Sequence, residues 1–318
     1  MTVDVYLEPE QFDEKLRADA YRGLTSTPKY LSPTWLYDAR GSTLFEEITR
    51  LPEYYPTRTE FGLLRQFAGE IADSARPEML VELGSGSSEK TRVLLDALEP
   101  YLHTYVPQDV SEPALRTAVA QLSVEYPRLS VHGVVGDFTE SLEHLPSGGR
   151  RMVAFLGGTI GNLVPEERAA FLSGLASILD RDEWLLLGAG LVVDPEVLIP
   201  AYDDAAGVTA EFDRNVLRVL NNRLGADFDP DRFVHRAVWD PDNEWIEMRL
   251  EATEPMTVSV PGLDLEVSLD KGEQIRTEIS AKFRLDGLGA ELDRAGFVVH
   301  REWIDRDGRF VVLGAARR

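Results

Sequence analysis

The sequence contains no cysteine among its 318 residues. Disulfide bonds, thiolate metal ligands and a cysteine nucleophile are therefore excluded. Histidine is also scarce, since there are only five, at positions 103, 132, 144, 235 and 300. No two of them have the spacing of metal ligands, so each is interpreted as a surface or packed histidine. We expect no metal site.

Long apolar runs are missing as well. The longest, Trp184 to Val193, is too short to span a bilayer. The N-terminal segment MTVDVYLEPEQFDEK is acidic and lacks the apolar core of a signal peptide. We therefore expect a cytoplasmic protein without a membrane partner.

Basic residues are outnumbered, with 33 Lys and Arg against 55 Asp and Glu, which gives a net charge of −22. Because the chain has no basic run, a nucleic-acid backbone would be repelled, and we expect no nucleic-acid partner. A hydrophobic content of 43% and a charged content of 28% are typical of globular proteins. The length suffices for about two domains. This composition favours small-molecule ligands.

The sequence does have a glycine turn between a predicted strand and a predicted helix. The strand Met79 to Leu83 is followed by Gly84 and Gly86, and the helix begins near Ser88, which is placed as its N-cap. Glycine allows positive φ and lets a ligand approach the backbone closely. Such a unit opens a doubly wound sheet, whose ligand lies at the carboxyl ends of the strands.

Three ligand classes compete for this turn. A phosphate loop is rejected because Glu89 replaces its second glycine and would repel a triphosphate. A dinucleotide motif is met only in part, since its third glycine is missing. The E-x-G-x-G pattern of S-adenosylmethionine (SAM) methyltransferases is met by Glu82, Gly84 and Gly86. SAM carries no phosphate and tolerates nearby acids, but an ordinary tight turn remains an alternative at this point.

Acidic residues follow the next two predicted strands. Asp109 comes about 25 residues after Gly84, where such folds place an acid that holds ribose hydroxyls. Asp137 and Phe138 follow a third strand that ends at Val135. This pair could accept a hydrogen bond from the adenine amine and stack on its ring. Each acid alone could be a turn residue or a helix cap, whereas together they favour a nucleoside ligand.

The remaining strands define the fold class. The fourth strand, Met152 to Leu156, leads into a second glycine turn, where Asn162 is either a substrate ligand or a turn residue. Trp184 to Val192 is a nearly all-apolar fifth strand. Residues 297–315 close the chain as a hairpin. This order predicts an α/β class I SAM-methyltransferase (Rossmann-like) sheet, because a dinucleotide dehydrogenase would keep parallel strands.

The other segments predict a second, α+β domain that binds the substrate. Residues 9–24 and about 209–224 have helical periodicity, and residues 232–280 alternate as strands do. Residues 25–59 are rich in aromatics and are interpreted as a loop that forms a lid, with core packing as the alternative. We assign residues 60–195 plus 282–318 to the SAM-binding domain and residues 1–59 plus 196–281 to the substrate-binding domain. We expect the ligand cleft between them.

Six segments resemble the histidine-specific SAM-dependent methyltransferases. They are LPEYYPTRTE (51–60), VELGSGSSEKTR (81–92), FLGGTIGNL (155–163), AYDDAAGVTAEFDRNVL (201–217), IEM (246–248) and TEISAKF (277–283). The ergothioneine-pathway member of that family trimethylates the α-amino group of L-histidine to hercynine. The resemblance implies the same reaction here, with SAM consumed as co-substrate and histidine with its methylated intermediates as ligands. We also expect a monomer.

The resemblance also implies site residues, carried over by position. The SAM contacts fall on Tyr37, Gly84, Lys90, Asp109, Asp137 and Phe138. The histidine contacts fall on Tyr54, Asn162, Tyr202, Glu278 and Ser280, with Phe45, Gly157 and Met248 lining the pocket. Tyr37 is the catalytic candidate, since its hydroxyl would lie near the reacting amine.

Each implied contact has a chemical role. Asn162 and Tyr202 can donate to the substrate carboxylate, and Glu278 can accept the imidazole N–H in a charge-assisted bond. Ser280 lies two residues after Glu278 and shares its side of a strand. Two alternatives remain, a methyltransferase for another amino acid and a non-catalytic sensor of SAM or amino acids.

Overall fold

The computed structural model describes residues 2–7, 9–86, 88–139 and 142–318. Contacts divide the chain into two units. The first unit comprises Met1–Glu8, Pro56–Val192 and Phe283–Arg318, and the second comprises Pro9–Tyr55 and Val193–Lys282. The described strands are β1 (Thr2–Val5), β2 (Lys29–Tyr30), β3 (Met79–Leu83), β4 (Thr104–Asp109), β5 (Ser130–Val135), β6 (Arg151–Phe155), β7 (Trp184–Gly190), β8 (Phe233–Asp240), β9 (Trp245–Ala252), β10 (Met256–Val260), β11 (Leu265–Leu269), β12 (Gln274–Ala281), β13 (Phe297–Ile304) and β14 (Phe310–Arg317). The described α-helices are α1 (Pro9–Thr25), α2 (Ala39–Arg50), α3 (Tyr55–Ala75), α4 (Glu89–Leu98), α5 (Glu112–Glu125), α6 (Pro165–Ile178), α7 (Pro195–Tyr202), α8 (Val208–Leu224) and α9 (Leu285–Ala295).

The first unit is built on one eight-stranded sheet with the order β1-β5-β4-β3-β6-β7-β14-β13. Strands β5, β4, β3, β6 and β7 pair in parallel, and β14 pairs antiparallel with both β7 and β13. The last strand of the chain is thus inserted one place inside the edge. The predicted α/β class I methyltransferase sheet is confirmed by this order.

The central strands are apolar because helices cover both faces of the sheet. Every residue of β3, β6 and β7 is buried. Helix α3 contributes Leu63, Leu64 and Ile71 to the same core, with Phe67 packed against it. The carboxyl ends of β3, β4 and β6 are the places where the chain leaves this core, so polar residues that follow them come together at one edge.

The N-terminal strand β1 was not predicted. Thr2–Val5 pairs in parallel with β5, with Thr2 opposite His132 and Val5 opposite Val135. These residues therefore extend the sheet of the first unit, whereas the sequence analysis placed residues 1–59 in the second domain. Four residues are too few to show strand alternation, so only the pairing identifies this strand.

The second unit contains a four-stranded sheet with the order β2-β12-β9-β8 and a separate β10–β11 hairpin. The strand alternation predicted over residues 232–280 is confirmed. The helical periodicity over residues 9–24 is confirmed by α1, which buries Leu16, Ala20 and Leu24 and packs the partly buried Phe12 against the same core. Helix α8 ends at Gly225 with a φ of +66°. None of the described helices combines the length and apolarity needed to cross a bilayer.

The interpretation of residues 25–59 as a loop was wrong. Most of the segment is helical, because it contains α2 and the first turn of α3. Asp38 caps α2 by accepting the Gly41 N–H at 2.7 Å. Trp35, Tyr54 and Tyr55 are buried, so core packing is correct for these three aromatics.

A buried ion pair in the first unit links Arg151 of β6 to Glu183, the residue directly before β7. Arg151 donates through Nε to both oxygens of Glu183 at 3.0 Å and through Nη2 to Oε2 at 2.7 Å. Both side chains are buried. Such a pair stabilises the fold only while both partners are present, since a lone buried charge is strongly unfavourable.

We expect Glu183→Gln to lower the free energy of unfolding by about 3 kcal/mol, because the Arg151 guanidinium keeps its burial and loses its counter-charge. Urea denaturation measures this change. Glu112→Gln is the matched control, because Glu112 pairs with Arg116 at the surface of α5 and such pairs contribute less than about 1 kcal/mol. Equal, small losses in both variants would contradict the assignment.

Candidate active site

The glycine turn after β3 has the backbone that the sequence indicated. Gly84 and Gly86 have φ values of +67° and +50°, a region that favours glycine. Apart from Gly86 and its two chain neighbours, no atom of the described chain lies within 4 Å of the place where a Cβ on Gly86 would stand. The N–H of Ser85 donates to the Gln108 carbonyl at 3.0 Å and so ties the turn to β4.

A buried carboxylate supports this turn. Glu82 accepts two contacts from the Thr91 hydroxyl, at 2.7 and 2.6 Å, and a hydrogen bond from the Tyr105 hydroxyl. Burial raises the pKa of Glu82 to about 7, although the two hydroxyl donors and the charge of Lys90 lower it. Glu82 thus joins β3, α4 and β4 around the turn.

Ser88 stands at the predicted N-cap position, but the expected hydrogen bond from its side chain to the helix is not made. Ser88 directly precedes α4, but it has a φ of +54° and makes no side-chain cap hydrogen bond. Its hydroxyl lies 3.1 Å from the Tyr105 hydroxyl instead. The hydroxyl therefore joins the Glu82 cluster, a long-range contact that sequence spacing does not reveal.

Asp109 lies beside the glycine turn, as the sequence spacing indicated. Its Oδ2 accepts the Gly86 N–H at 3.0 Å and its Oδ1 accepts the Ser111 N–H at 2.9 Å. Burial raises the pKa of Asp109, and these N–H donors oppose the shift. The Val110 N–H also donates to this carboxylate. A carboxylate has about four acceptor positions, so these donors still leave capacity for a ligand hydroxyl.

Asp137 and Phe138 follow β5 at the same edge. Asp137 Oδ1 accepts the Thr139 N–H at 2.9 Å and its hydroxyl at 2.7 Å. The Phe138 ring packs edge-on against Phe155 at 5.1 Å. A Cβ on Gly84 would stand 4.0 Å from the Phe138 ring. The structure therefore brings the ring beside the turn.

Lys90 forms an ion pair with Glu60, a residue that the sequence analysis did not single out. Glu60 is fully buried, and its second oxygen accepts the Gly157 N–H at 2.6 Å. A Cβ on Gly188 would lie 2.1 Å from this oxygen, so any larger residue there would displace the Glu60 carboxylate. The signal that could have revealed Glu60 is its carboxylate one turn before the buried Leu63 and Leu64 of α3.

Asn162 and Gly157 also lie in the first unit. Gly157 and Gly158 follow β6 with φ values of +83° and +72°. A 3₁₀ turn, Thr159–Asn162, comes next, so Asn162 stands after the carboxyl end of β6. The first unit thus holds five of the six implied SAM contacts and two of the implied histidine-site residues.

A hydroxyl cluster occupies the second unit. Tyr202, the last residue of α7, has its hydroxyl 3.0 Å from that of Ser280 on β12. Lys282 donates to both hydroxyls at 2.7 Å, and its side chain is buried. Lys282 was missed by the sequence analysis, although it stands in the TEISAKF segment. Two implied histidine contacts are thus joined by a lysine.

An aromatic cluster connects further implied residues of the second unit. Phe45 packs edge-on against Tyr37 with ring centroids 5.5 Å apart and against Tyr54 at 6.3 Å. Tyr54 in turn packs against Tyr202 at 5.9 Å. Four residues implied by the resemblance therefore form one continuous set of rings.

Met248 and Glu278 are direct cross-strand partners on β9 and β12, next to an irregularity in the pairing between Arg276 and Glu278. Ser280 follows two residues later on the same strand, opposite Ile246. Directly opposed residues project to the same side of a sheet. The structure therefore places Met248, Glu278 and Ser280 on one side of this sheet.

A buried histidine holds the backbone of Tyr202. His235 Nδ1 lies 2.6 Å from Asp213 Oδ2, and Nε2 lies 2.8 Å from the Tyr202 carbonyl oxygen. Both partners are acceptors, so the ring is best satisfied when it carries both protons. Burial lowers the pKa of His235, but the hydrogen bond and charge of Asp213 outweigh it and raise the pKa. The pair fixes the end of α7.

A sequence profile described as histidine-specific, SAM-dependent methyltransferase matches residues 16–317. The chain belongs to this family. The resemblance found in the six sequence segments is thereby confirmed. The glycine turn of the first unit follows the carboxyl end of β3, and open α/β sheets bind ligands at the carboxyl ends of their strands.

Similar proteins agree with this membership. A histidine N-alpha-methyltransferase of Mycolicibacterium smegmatis is 52% identical over 314 residues, which cover 98% of both chains. One of Mycobacterium tuberculosis is 50% identical over 304 residues, 95% of both chains. A crystal structure of a SAM-dependent methyltransferase from Clostridium acetobutylicum matches with a TM-score of 0.50 and 10% identity, covering 86% of this chain and 98% of that one. The last match concerns the fold alone.

The raised pKa of Glu82 gives a testable pH dependence. Between its ordinary value of 4.5 and about 7, the folded methyltransferase binds a proton at Glu82 that the unfolded chain releases. This contribution to the free energy of unfolding therefore falls as pH rises through that range. We expect the wild-type free energy of unfolding to fall between pH 5 and pH 7.5 by about 1–3 kcal/mol more than that of Glu82→Gln.

Urea denaturation of both proteins at both pH values measures this difference. The Glu82→Gln variant is its own control for the rest of the chain, because all other titrating groups are unchanged. Parallel pH dependences in the two proteins would show that Glu82 keeps an ordinary pKa.

Proposed function

We propose that this chain is a SAM-dependent N-methyltransferase that trimethylates the α-amino group of L-histidine to hercynine, a step of ergothioneine biosynthesis. The observation that carries the proposal is the clustering of residues matched to the family's histidine contacts. Tyr54, Tyr202 and Ser280 come from distant parts of the chain. Within the second unit, Tyr54 packs against Tyr202, and the Tyr202 hydroxyl contacts that of Ser280. Full-length relatives at about half identity support it.

The first unit fits SAM on features of its own. The space beside Gly86 lets a ligand approach the backbone. The buried Ser85 hydroxyl has no hydrogen-bond partner among the residues that the structure describes, so it can serve a ligand. Asp109 can hold ribose hydroxyls, while Asp137 and Phe138 can bind the adenine.

Lys90 has a place in the same proposal. An ammonium group has three donors, and the pair with Glu60 uses only part of that capacity. Lys90 can therefore also pair with the carboxylate of SAM. SAM, when bound, supplies an electrophilic methyl group and is consumed as a co-substrate, and the reaction needs no metal.

The histidine contacts follow from donor and acceptor chemistry. Asn162 and Tyr202 donate to the substrate carboxylate. Glu278 accepts the imidazole N–H in a charge-assisted bond, and Ser280 and Tyr54 add polar contacts to the ring. Phe45, Gly157 and Met248 line the pocket around these groups.

The chain's part in catalysis is positioning and proton removal. Only a neutral amine attacks, so the α-ammonium must lose a proton before each transfer. Tyr37, which packs in the aromatic cluster with Phe45, can assist through its hydroxyl. Holding the nitrogen in line with the reacting bond supplies several kcal/mol, on the order of 7 for well-oriented groups.

Two other functions give different outcomes in one assay. A methyltransferase for another amino acid would leave histidine unmodified, and a non-catalytic sensor would bind without product. Purified protein with SAM and histidine, followed by mass spectrometry, separates them. We expect a gain of three methyl groups on histidine. The cytoplasmic location and the monomeric state stay predictions.

The ring contact is tested by Glu278→Ala. We expect this variant to lose about 2–4 kcal/mol of selectivity for histidine over other amino acids, because the imidazole N–H would lose its acceptor. Competition assays measure the ratio of kcat/KM values. Glu266→Ala, an exposed carboxylate on β11, is the control and should keep wild-type selectivity. If Glu278→Ala still discriminates as the wild type does, Glu278 does not bind the ring.

The carboxylate contact is tested by Asn162→Ala. A lost hydrogen bond to a charged group costs about 1.5–3 kcal/mol, so we expect the KM for histidine to rise at least tenfold. The SAM dissociation constant, measured by calorimetry, should stay unchanged. A KM equal to that of the wild type would remove Asn162 from the carboxylate site.

A further inference from the structure

Lys282 is a buried cation whose contacts the proposed reaction does not yet use. Its side chain is buried directly after β12, and 6% of the residue is exposed. Its Nζ lies 2.7 Å from the Tyr202 hydroxyl and 2.7 Å from the Ser280 hydroxyl. The same nitrogen lies 4.8 Å from the centre of the Tyr202 ring. The lysine therefore contacts two residues assigned to substrate binding.

The donors and acceptors of Lys282, Tyr202 and Ser280 determine the direction of each hydrogen bond in this cluster. An ammonium only donates, so each hydroxyl oxygen must accept from Lys282. The two hydroxyls also lie 3.0 Å apart, and one of them donates to the other. One hydroxyl hydrogen is consumed within the cluster in this way. The other remains, and it can point only to an acceptor outside the cluster.

The acidity of the two hydroxyls decides which hydrogen remains when the acceptor is an anion. A phenol is more acidic than a serine hydroxyl and is the better partner for a carboxylate. Ser280 then donates to Tyr202, whose oxygen already accepts from Lys282. Both acceptor positions of the Tyr202 oxygen are filled, so this hydroxyl can only donate.

We propose that Lys282 is a positioning residue that commits the Tyr202 hydroxyl to donating to a free substrate carboxylate and thereby selects amino acids over their uncharged amides. The inference rests on the proposed function, in which Tyr202 binds the carboxylate. It adds the group that orients Tyr202 and the chemical class of substrate that this orientation selects.

The charge balance around Lys282 agrees with this role. Burial lowers the pKa of Lys282 to about 7, while the charge of Glu278 opposes the shift. Burial also raises the pKa of Tyr202. The hydrogen bond with Ser280 opposes this shift, and the charge of Glu278 adds to it. Tyr202 therefore stays a protonated donor. An anionic carboxylate bound to it favours the charged form of Lys282, so substrate and lysine stabilise each other.

The test compares L-histidine with L-histidinamide, which lacks the carboxylate charge. We expect Lys282→Met to reduce the ratio of kcat/KM for histidine over histidinamide about 10- to 100-fold, mainly through the KM for histidine. The SAM dissociation constant and the melting temperature should stay near wild-type values. Lys271→Met, in the exposed turn before β12, is the matched control and should keep the wild-type ratio.

A double-mutant cycle distinguishes orientation from general packing. If Lys282 acts through Tyr202, Lys282→Met should have no further effect on the ratio in a Tyr202→Phe background. Should Lys282→Met fail to fold, Lys282→Gln, which keeps a polar group, should still lower the ratio. An unchanged ratio in the folded variant overturns the inference. A wild-type protein that does not methylate histidine would overturn the proposed function instead.

Discussion

The hydrogen bonds of one buried carboxylate hold together the elements around the glycine turn of the first unit. Glu82 lies at the end of β3 and accepts from Thr91 on α4 and from Tyr105 on β4. The turn between β3 and α4 has positive φ values that cost backbone energy for most residues. Because Glu82 fixes the elements on both sides, Gly84 and Gly86 can keep this open conformation next to Asp109 and Phe138.

Other buried charges are also paired at places where ligands are assigned. Glu60 pairs with Lys90 and holds the Gly157 N–H. Lys282 is satisfied by two hydroxyls. A buried charge without partners is strongly unfavourable, so each of these groups fixes the position of its neighbours. In both units, therefore, buried charges with polar partners orient residues that are assigned to substrate binding.

Much of this architecture could be predicted from the sequence. The strands β3, β6 and β7 are fully buried and mostly apolar, so their positions were visible without pairing information. Helix α8 was visible from its helical periodicity over residues 209–224. Helix α2 was missed because it lies in a segment, residues 25–59, whose aromatics and prolines resembled a loop, although Asp38 marks its start.

The sequence by itself determined the α/β class, the glycine turn and the family, because these depend on local residue order and on short motifs. Tertiary structure alone decided which polar groups meet. Glu60 pairs with Lys90, which lies 30 positions later in the chain, and Tyr202 contacts Ser280, which lies 78 positions later. The Ser88 hydroxyl contacts Tyr105 and makes no helix-cap hydrogen bond. Such contacts join side chains far apart in the chain, and no local pattern of spacing or hydrophobicity encodes them.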